Sequence, residues 1–175
     1  MTASRGPAPV PKRYVPDEME RRVLAQWARE GTFRQQVERG RHAYEASGRD
    51  PGRRFVFLEG PPTANGLPHP GHVLTRTLKD AVNRYQAMLG KWVPRKAGWD
   101  CHGLPVEIEV QKELGIEHVD EVLAYGLAKF NARCRDSVFR YKKNWEEMSE
   151  RVGFWLDYEH PYVTMEDTYI ESVWW

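Results

Sequence analysis

The sequence predicts an α/β fold built on a parallel sheet, and three observations carry that prediction. Phe55–Glu59 is short, aromatic and β-branched between Gly52 and Gly60, which marks a strand. From about Gly71 to Leu89, apolar residues recur at helical spacing. Trp92–Ala97 then reads as a second strand. A strand, a crossover helix and a strand make one unit in which the two strands run parallel and the connection is right-handed.

The remaining elements follow in order. Residues 1–14 are Pro-rich and basic and read as a loose arm. Asp17 opens a helix, with Glu20 three residues on as in a capping box. Val23 pairs with Trp27, and Leu24 with Ala28, at i,i+4 before Gly31 stops the helix. Phe33–Asp50 carries mixed charge, ends in Ser-Gly-Arg-Asp-Pro-Gly, and reads as a surface connection. Its arginines suit a solvated face better than an RNA-binding one.

Gly60-Pro61-Pro62 makes a stiff turn because both prolines lock φ, and Asn65-Gly66 supplies another. The helix that follows is expected to turn Leu74, Leu78, Val82, Tyr85 and Leu89 inward and to keep Arg76, Lys79, Asn83 and Arg84 off that face. Gly90 ends it. Gly98-Trp99-Asp100 leaves the carboxyl end of the second strand. Pro105 is placed as the first residue of another helix, with Val106, Val110 and Leu114 inside and Gly115 at its end. Residues 119–151 are helical in pattern, marked by Phe130, Val138, Tyr141 and Trp145, and Gly153–Met165 reads as aromatic and irregular. The last residues, YIESVWW, put two tryptophans at the end and suggest a cut inside an element of a longer protein.

Composition narrows the function classes. The 26 Lys and Arg against 25 Asp and Glu give a net charge of +1, so no basic field announces nucleic acid. Seven Trp and 41% hydrophobic residues suffice for a core. No apolar run approaches the roughly 20 residues of a membrane span, and the N-terminus lacks a secretory h-region. Cys101 and Cys134 form no metal or disulfide spacing and read as idle thiols of a reducing cytosol.

His69 and His72 are the first candidates for chemistry. Three apart at a helix start, they lie on one face, where unpaired N–H groups and the helix dipole favour an anion. Either both point at one ligand, or one caps the helix and the other packs. Gly71 between them leaves room for a flat ring or a phosphate to approach the backbone. Asp100, just past a strand's carboxyl end, either holds an ammonium group or caps a turn. Pro61 offers a rigid apolar wall beside such a site, and Trp99 reads as core. Zinc is disfavoured, because Cys101 and His102 lack a pairing pattern.

PPTANGLPHPGH resembles the HIGH motif of class I aminoacyl-tRNA synthetases in the form carried by the isoleucyl enzymes. GWDCHGLPVE is similar to a companion segment of the same enzymes, and YVTMEDTYIESVWW to the stretch before their editing insertion. The resemblance covers residues 17–175. Pro70 departs from it, standing where such motifs carry an aliphatic residue. Valyl enzymes usually have a DHAG-type segment at DCHG, and leucyl enzymes an AFG-type one.

The resemblance implies the first half of a Rossmann-like, HUP-type nucleotidyl-transferase domain over residues 51–175, behind an arm and helix over 1–50 and truncated before the editing insertion. It implies activation of L-isoleucine with ATP and Mg2+ and transfer to tRNA(Ile), by a cytoplasmic enzyme that is monomeric at full length. His69 and His72 would contact the triphosphate, Gly71 the adenine, Asp100 the α-ammonium and Pro61 the amino-acid side chain. Zinc would belong to other parts of such an enzyme, and KMSKS, its second ATP motif, does not occur in these residues. The fragment alone is therefore expected to be inactive. The competing readings are a valyl- or leucyl-type fragment, a smaller nucleotidylyltransferase with an H-x-G-H turn, and a non-catalytic nucleotide- or tRNA-binding fragment.

Overall fold

A computed structural model of the chain describes Arg13 and residues 15–175, so the N-terminal arm lies almost wholly outside the described residues. Helix α1 (Pro16–Glu30) begins at Pro16, whose missing N–H would have no partner in a first turn anyway. Asp17 does not cap it. Its carboxylate accepts from Arg21 at 2.9 Å and from Arg151 at 3.0 Å, and Glu20 pairs with Arg151 at 2.8 Å. The expected capping box is thus replaced by ion pairs to a distant helix. Gly31 ends α1 in the left-handed conformation at φ 60°.

The expected connection after Gly31 is instead helix α2 (Thr32–Ala46). It buries no residue fully, so it is a surface element as anticipated, but its Gln, Glu and Arg residues sustain a helix. Two of its aromatics decide where it sits. Phe33 stacks on Trp155 at 5.7 Å and Tyr44 on Trp92 at 5.1 Å.

The sheet has three parallel strands in the order β1-β2-β3: β1 (Phe57–Leu58), β2 (Arg95–Trp99) and β3 (Asp157–Val163). The strand expected over Phe55–Glu59 is shorter, although an isolated bridge from Arg54 to Trp92 extends the pairing. It is also covered on one side only: Glu59 is buried while Val56 and Leu58 are exposed. The second strand starts three residues later than its apolar run. The third lies inside Gly153–Met165, where the sequence predicts irregular structure. Asp157, Glu159, His160 and Pro161 conceal it, and its register breaks between Lys96 and Gly98.

Helix α3 (Pro70–Met88) makes the β1–β2 crossover, and its orientation reverses the expected one. Leu74, Leu78, Val82, Tyr85 and Leu89 are all at least half exposed, whereas Arg76, Asp80 and Asn83 are buried. The buried polar face is held by specific partners. Asp80 accepts from Arg95 at 3.0 Å and forms a second ion pair with Arg84, whose guanidinium lies 3.8 Å from the Trp155 ring. Burial pushes the Arg95 guanidinium down to about 10, against the opposing pull of Asp80. Arg76 lies over Trp145 at 4.8 Å and Phe154 at 5.6 Å, and its Nε donates to Ser149.

Helix α4 (Leu104–Leu114) starts one residue before Pro105 and ends at Gly115 as anticipated, with Val106 and Val110 buried. The helical stretch 119–151 resolves into α5 (Val119–Tyr125), α6 (Leu127–Ser137) and α7 (Lys142–Arg151). The last element, α8 (Asp167–Trp174), ends at the exposed Trp174, with the exposed Trp175 after it. The main core gathers Ala64, Trp99, Cys101, Val138, Trp145 and Val163 between the sheet and α7. Phe57, Ala97, Phe154 and Leu156 continue it along the strands. Among the described residues, no helix is long and apolar enough to cross a membrane.

Candidate functional site

Past β1 the chain enters the loop 60–68, and long-range bonds fix it in place. The Ala64 carbonyl accepts from the Tyr141 N–H at 2.9 Å, and the Gly66 carbonyl from Trp145 Nε1 at 2.8 Å. Asn65 donates from Nδ2 to the Pro105 carbonyl at 2.7 Å, so its side chain ties the loop to α4. Ala64 itself is fully buried. The loop therefore delivers α3 to a defined place rather than hinging it.

At the start of α3 the two histidines cap the helix together. His69 is the N-cap, and its Nδ1 accepts from the Gly71 N–H at 3.2 Å. His72 reaches back so that its Nδ1 accepts from the His69 N–H at 3.1 Å. The two rings lie 3.7 Å apart, tilted by 32°. Because each Nδ1 is an acceptor, each neutral ring carries its proton on Nε2. Burial, His69 and Arg76, in that order, hold the His72 imidazole below its ordinary pKa, which favours that neutral form. Both rings cap, rather than one capping and the other packing, and among the described residues neither Nε2 has a hydrogen-bond partner. Pro70 occupies the first helical turn without loss. At Gly71 a side chain would meet the His69 ring at 3.0 Å, so the glycine is what lets that ring fold back.

Asp100 lies half-buried beyond the end of β2, across from this loop. Its N–H donates to the Pro62 carbonyl at 3.0 Å, which holds Pro61 and Asp100 on neighbouring strand exits. Its Oδ1 accepts from the His102 N–H at 3.3 Å and from Thr164 Oγ1 at 3.4 Å. Thr63 Oγ1 lies 3.5 Å from Oδ2. No cation pairs with this carboxylate among the described residues. Its Oδ1 thus caps the turn that leads to His102. Pro61 is half-buried beside it.

Several residues at this site carry no signal in the sequence. Arg76 places a buried positive charge one turn below His72. Glu59, buried at the end of β1, pairs with Lys79 at 2.9 Å and keeps its second oxygen unpartnered. Tyr162 reaches the site from β3 and Thr164 from the turn just past it, both within the YVTMEDTYIESVWW stretch. Cys101 and Cys134 are free, and burial raises both thiols. Among the described residues no three His, Cys, Asp or Glu side chains group to hold a metal ion.

The model of the family "tRNA synthetases class I (I, L, M and V)" matches residues 22–175. The chain is 51% identical over 158 residues to an isoleucine–tRNA ligase of Thermus thermophilus, covering 90% of this chain and 14% of that protein. It is 50% identical over 155 residues to isoleucine–tRNA ligase 2 of Bacillus thuringiensis subsp. konkukian, covering 89% and 14%. It is 46% identical over 165 residues to an isoleucine–tRNA ligase of Dehalococcoides mccartyi, covering 94% and 15%. The chain thus spans about one-seventh of the length of these relatives.

Proposed function

Because the chain belongs to the class I tRNA synthetases (I, L, M and V), we propose that the whole protein converts L-isoleucine and ATP to isoleucyl-adenylate and pyrophosphate. It then passes the isoleucyl group to tRNA(Ile). Residues 51–175 supply the first half of the Rossmann-like catalytic domain, behind an N-terminal region of residues 1–50. The full-length enzyme works in the cytoplasm as a monomer, and any zinc site belongs to its other parts.

The observation that carries this reading is the reciprocal capping of His69 and His72, which leaves two adjacent Nε2–H donors at a helix N-terminus. As the isoleucine carboxylate attacks the α-phosphorus, negative charge grows on the phosphate oxygens while the bond to pyrophosphate breaks. Donors preset for that charge lower the barrier without reorganising. The two Nε2–H groups donate hydrogen bonds and keep their protons. Adenine lies along the open surface at Gly71. Asp100 holds the α-ammonium, and Pro61 forms a rigid wall for the aliphatic side chain. Mg2+ would accompany ATP as the counterion of its phosphates. Such chemistry asks for positioning and charge stabilisation rather than a covalent nucleophile.

Amino-acid-dependent ATP–pyrophosphate exchange by the full-length protein tests the proposal. Isoleucine is expected to drive exchange, and a stronger response to valine or leucine would transfer the reading to a valyl or leucyl enzyme. The isolated chain of 175 residues is expected to make no adenylate. Detectable isoleucyl-adenylate from it would refute the assignment of half a site.

A further inference from the structure

Strand β3 and the turn just past it touch both arms of the amino-acid end without carrying a proposed ligand contact. Tyr162 is the register partner of Gly98 on β2. Its ring fills the space over that glycine so completely that a Cβ there would overlap it. The ring therefore passes across β2, and the hydroxyl donates to the Glu59 carbonyl at the end of β1. Gly60 and Pro61 follow directly in the chain. Behind the ring, Tyr169 of α8 stacks nearly parallel at 5.9 Å and 11°.

Two residues further on, Thr164 does the same for the other arm. Its N–H donates to the Trp99 carbonyl at 3.1 Å, and its Oγ1 accepts from the Cys101 N–H at 2.9 Å. The same hydroxyl donates to Asp100 Oδ1 at 3.4 Å. Thr164 is almost fully buried. Thr164 stands in the turn directly after β3. One continuous stretch of backbone therefore holds the β1 exit through Tyr162 and the β2 exit through Thr164.

We propose that Tyr162 and Thr164 are positioning residues that set the gap between Pro61 and Asp100 and thereby the affinity for the amino acid. This rests on the reading of Pro61 and Asp100 as the amino-acid end of the site. The phosphate end has its own supports, Trp145 and the capping pair, and touches neither residue. Loss of either hydroxyl therefore weakens amino-acid binding and leaves ATP binding alone.

The test uses the full-length protein with Tyr162→Phe, Thr164→Val and Thr164→Ser, read by ATP–pyrophosphate exchange against isoleucine and ATP separately. Tyr162→Phe and Thr164→Val are each expected to raise KM for isoleucine about five-fold, as befits one neutral hydrogen bond. KM for ATP should stay within about two-fold, and Thr164→Ser, which keeps the hydroxyl, should restore the wild-type KM for isoleucine. Both KM values are independent of the fraction of folded enzyme, so partial misfolding does not mask the result. An unchanged KM for isoleucine, an equal rise for ATP, or no rescue by serine would overturn the proposal. Failure of the wild-type protein to respond to isoleucine would instead overturn the functional reading beneath it.

Discussion

The two ends of the proposed site, the one assigned to phosphate and the one assigned to the amino acid, are built in different ways. The phosphate end is made within four residues, His69-Pro70-Gly71-His72, by hydrogen bonds that span at most three positions. The amino-acid end is made across three strands, by bonds joining Pro62 to Asp100, Thr164 to Asp100 and Tyr162 to Glu59. A helix terminus orients its own donors, because capping and ligand geometry share one short backbone segment. A pocket for a side chain and an ammonium needs walls from separate segments, and only packing can set their spacing. The first end should therefore tolerate distant changes that disturb the second.

Four substitutions and one pH titration would break or sharpen that contrast. The largest acts on the platform under both ends. Asp80→Ala leaves Arg95 buried without its carboxylate, and breaking such a pair costs about 3–5 kcal/mol. Urea unfolding of the full-length protein should show the loss, with activity toward both substrates falling together. Next is the phosphate end alone. His72→Ala should cost on the order of 3 kcal/mol of activation, the scale of one lost transition-state donor. The effect should appear in kcat of exchange, with KM for isoleucine nearly unchanged. If the variant keeps normal exchange, the role of His72 is wrong.

The same residue gives a pH dependence of defined sign. His72 is held below its ordinary pKa, so the folded protein binds this proton less tightly than the unfolded chain. Stability from the neutral ring is present above the ordinary histidine range and is lost as pH falls through about 6.5 toward the lower folded value. Protonation also puts a hydrogen on Nδ1 and breaks the bond from the His69 N–H. NMR titration of the imidazole should place its midpoint below that of a free histidine; a midpoint at or above it would contradict the neutral pair.

Smaller effects separate the ends further. Asp100→Asn removes the charge proposed to meet the α-ammonium, and a charge-assisted hydrogen bond is worth about 1.5–3 kcal/mol. It should appear as a raised KM for isoleucine at constant KM for ATP. Gly71→Ala pushes against the His69 ring, and overpacking of this kind costs about 1 kcal/mol. The expected result is a weaker response to ATP only. If isoleucine binding fell equally, the two ends would not be independent.

The first strand–helix–strand unit was legible because its signals are local. Pro and Gly punctuate the loop, Gly31, Gly90 and Gly115 end helices at positive φ, and Pro70 and Pro105 stand in first turns. Strand β3 was not legible, because its charged residues and Pro161 give no alternation and its pairing is irregular. Nor was helix α2, whose mixed charge reads equally well as a loop until Phe33 and Tyr44 find Trp155 and Trp92.

By itself the sequence determined that a helix starts near Gly71, that two imidazoles stand at its head, and which family these motifs resemble. Those features depend on neighbours within one turn, where covalent geometry and capping leave few alternatives. The tertiary structure alone decided which face of α3 goes inside. Periodicity shows that the helix has an apolar and a polar stripe, and apolar burial would favour the first. Arg95, Trp145, Ser149 and Phe154, from distant parts of the chain, supply partners for Asp80 and Arg76 instead. A buried charge is tolerated only where such partners converge, and their convergence is a property of the folded chain.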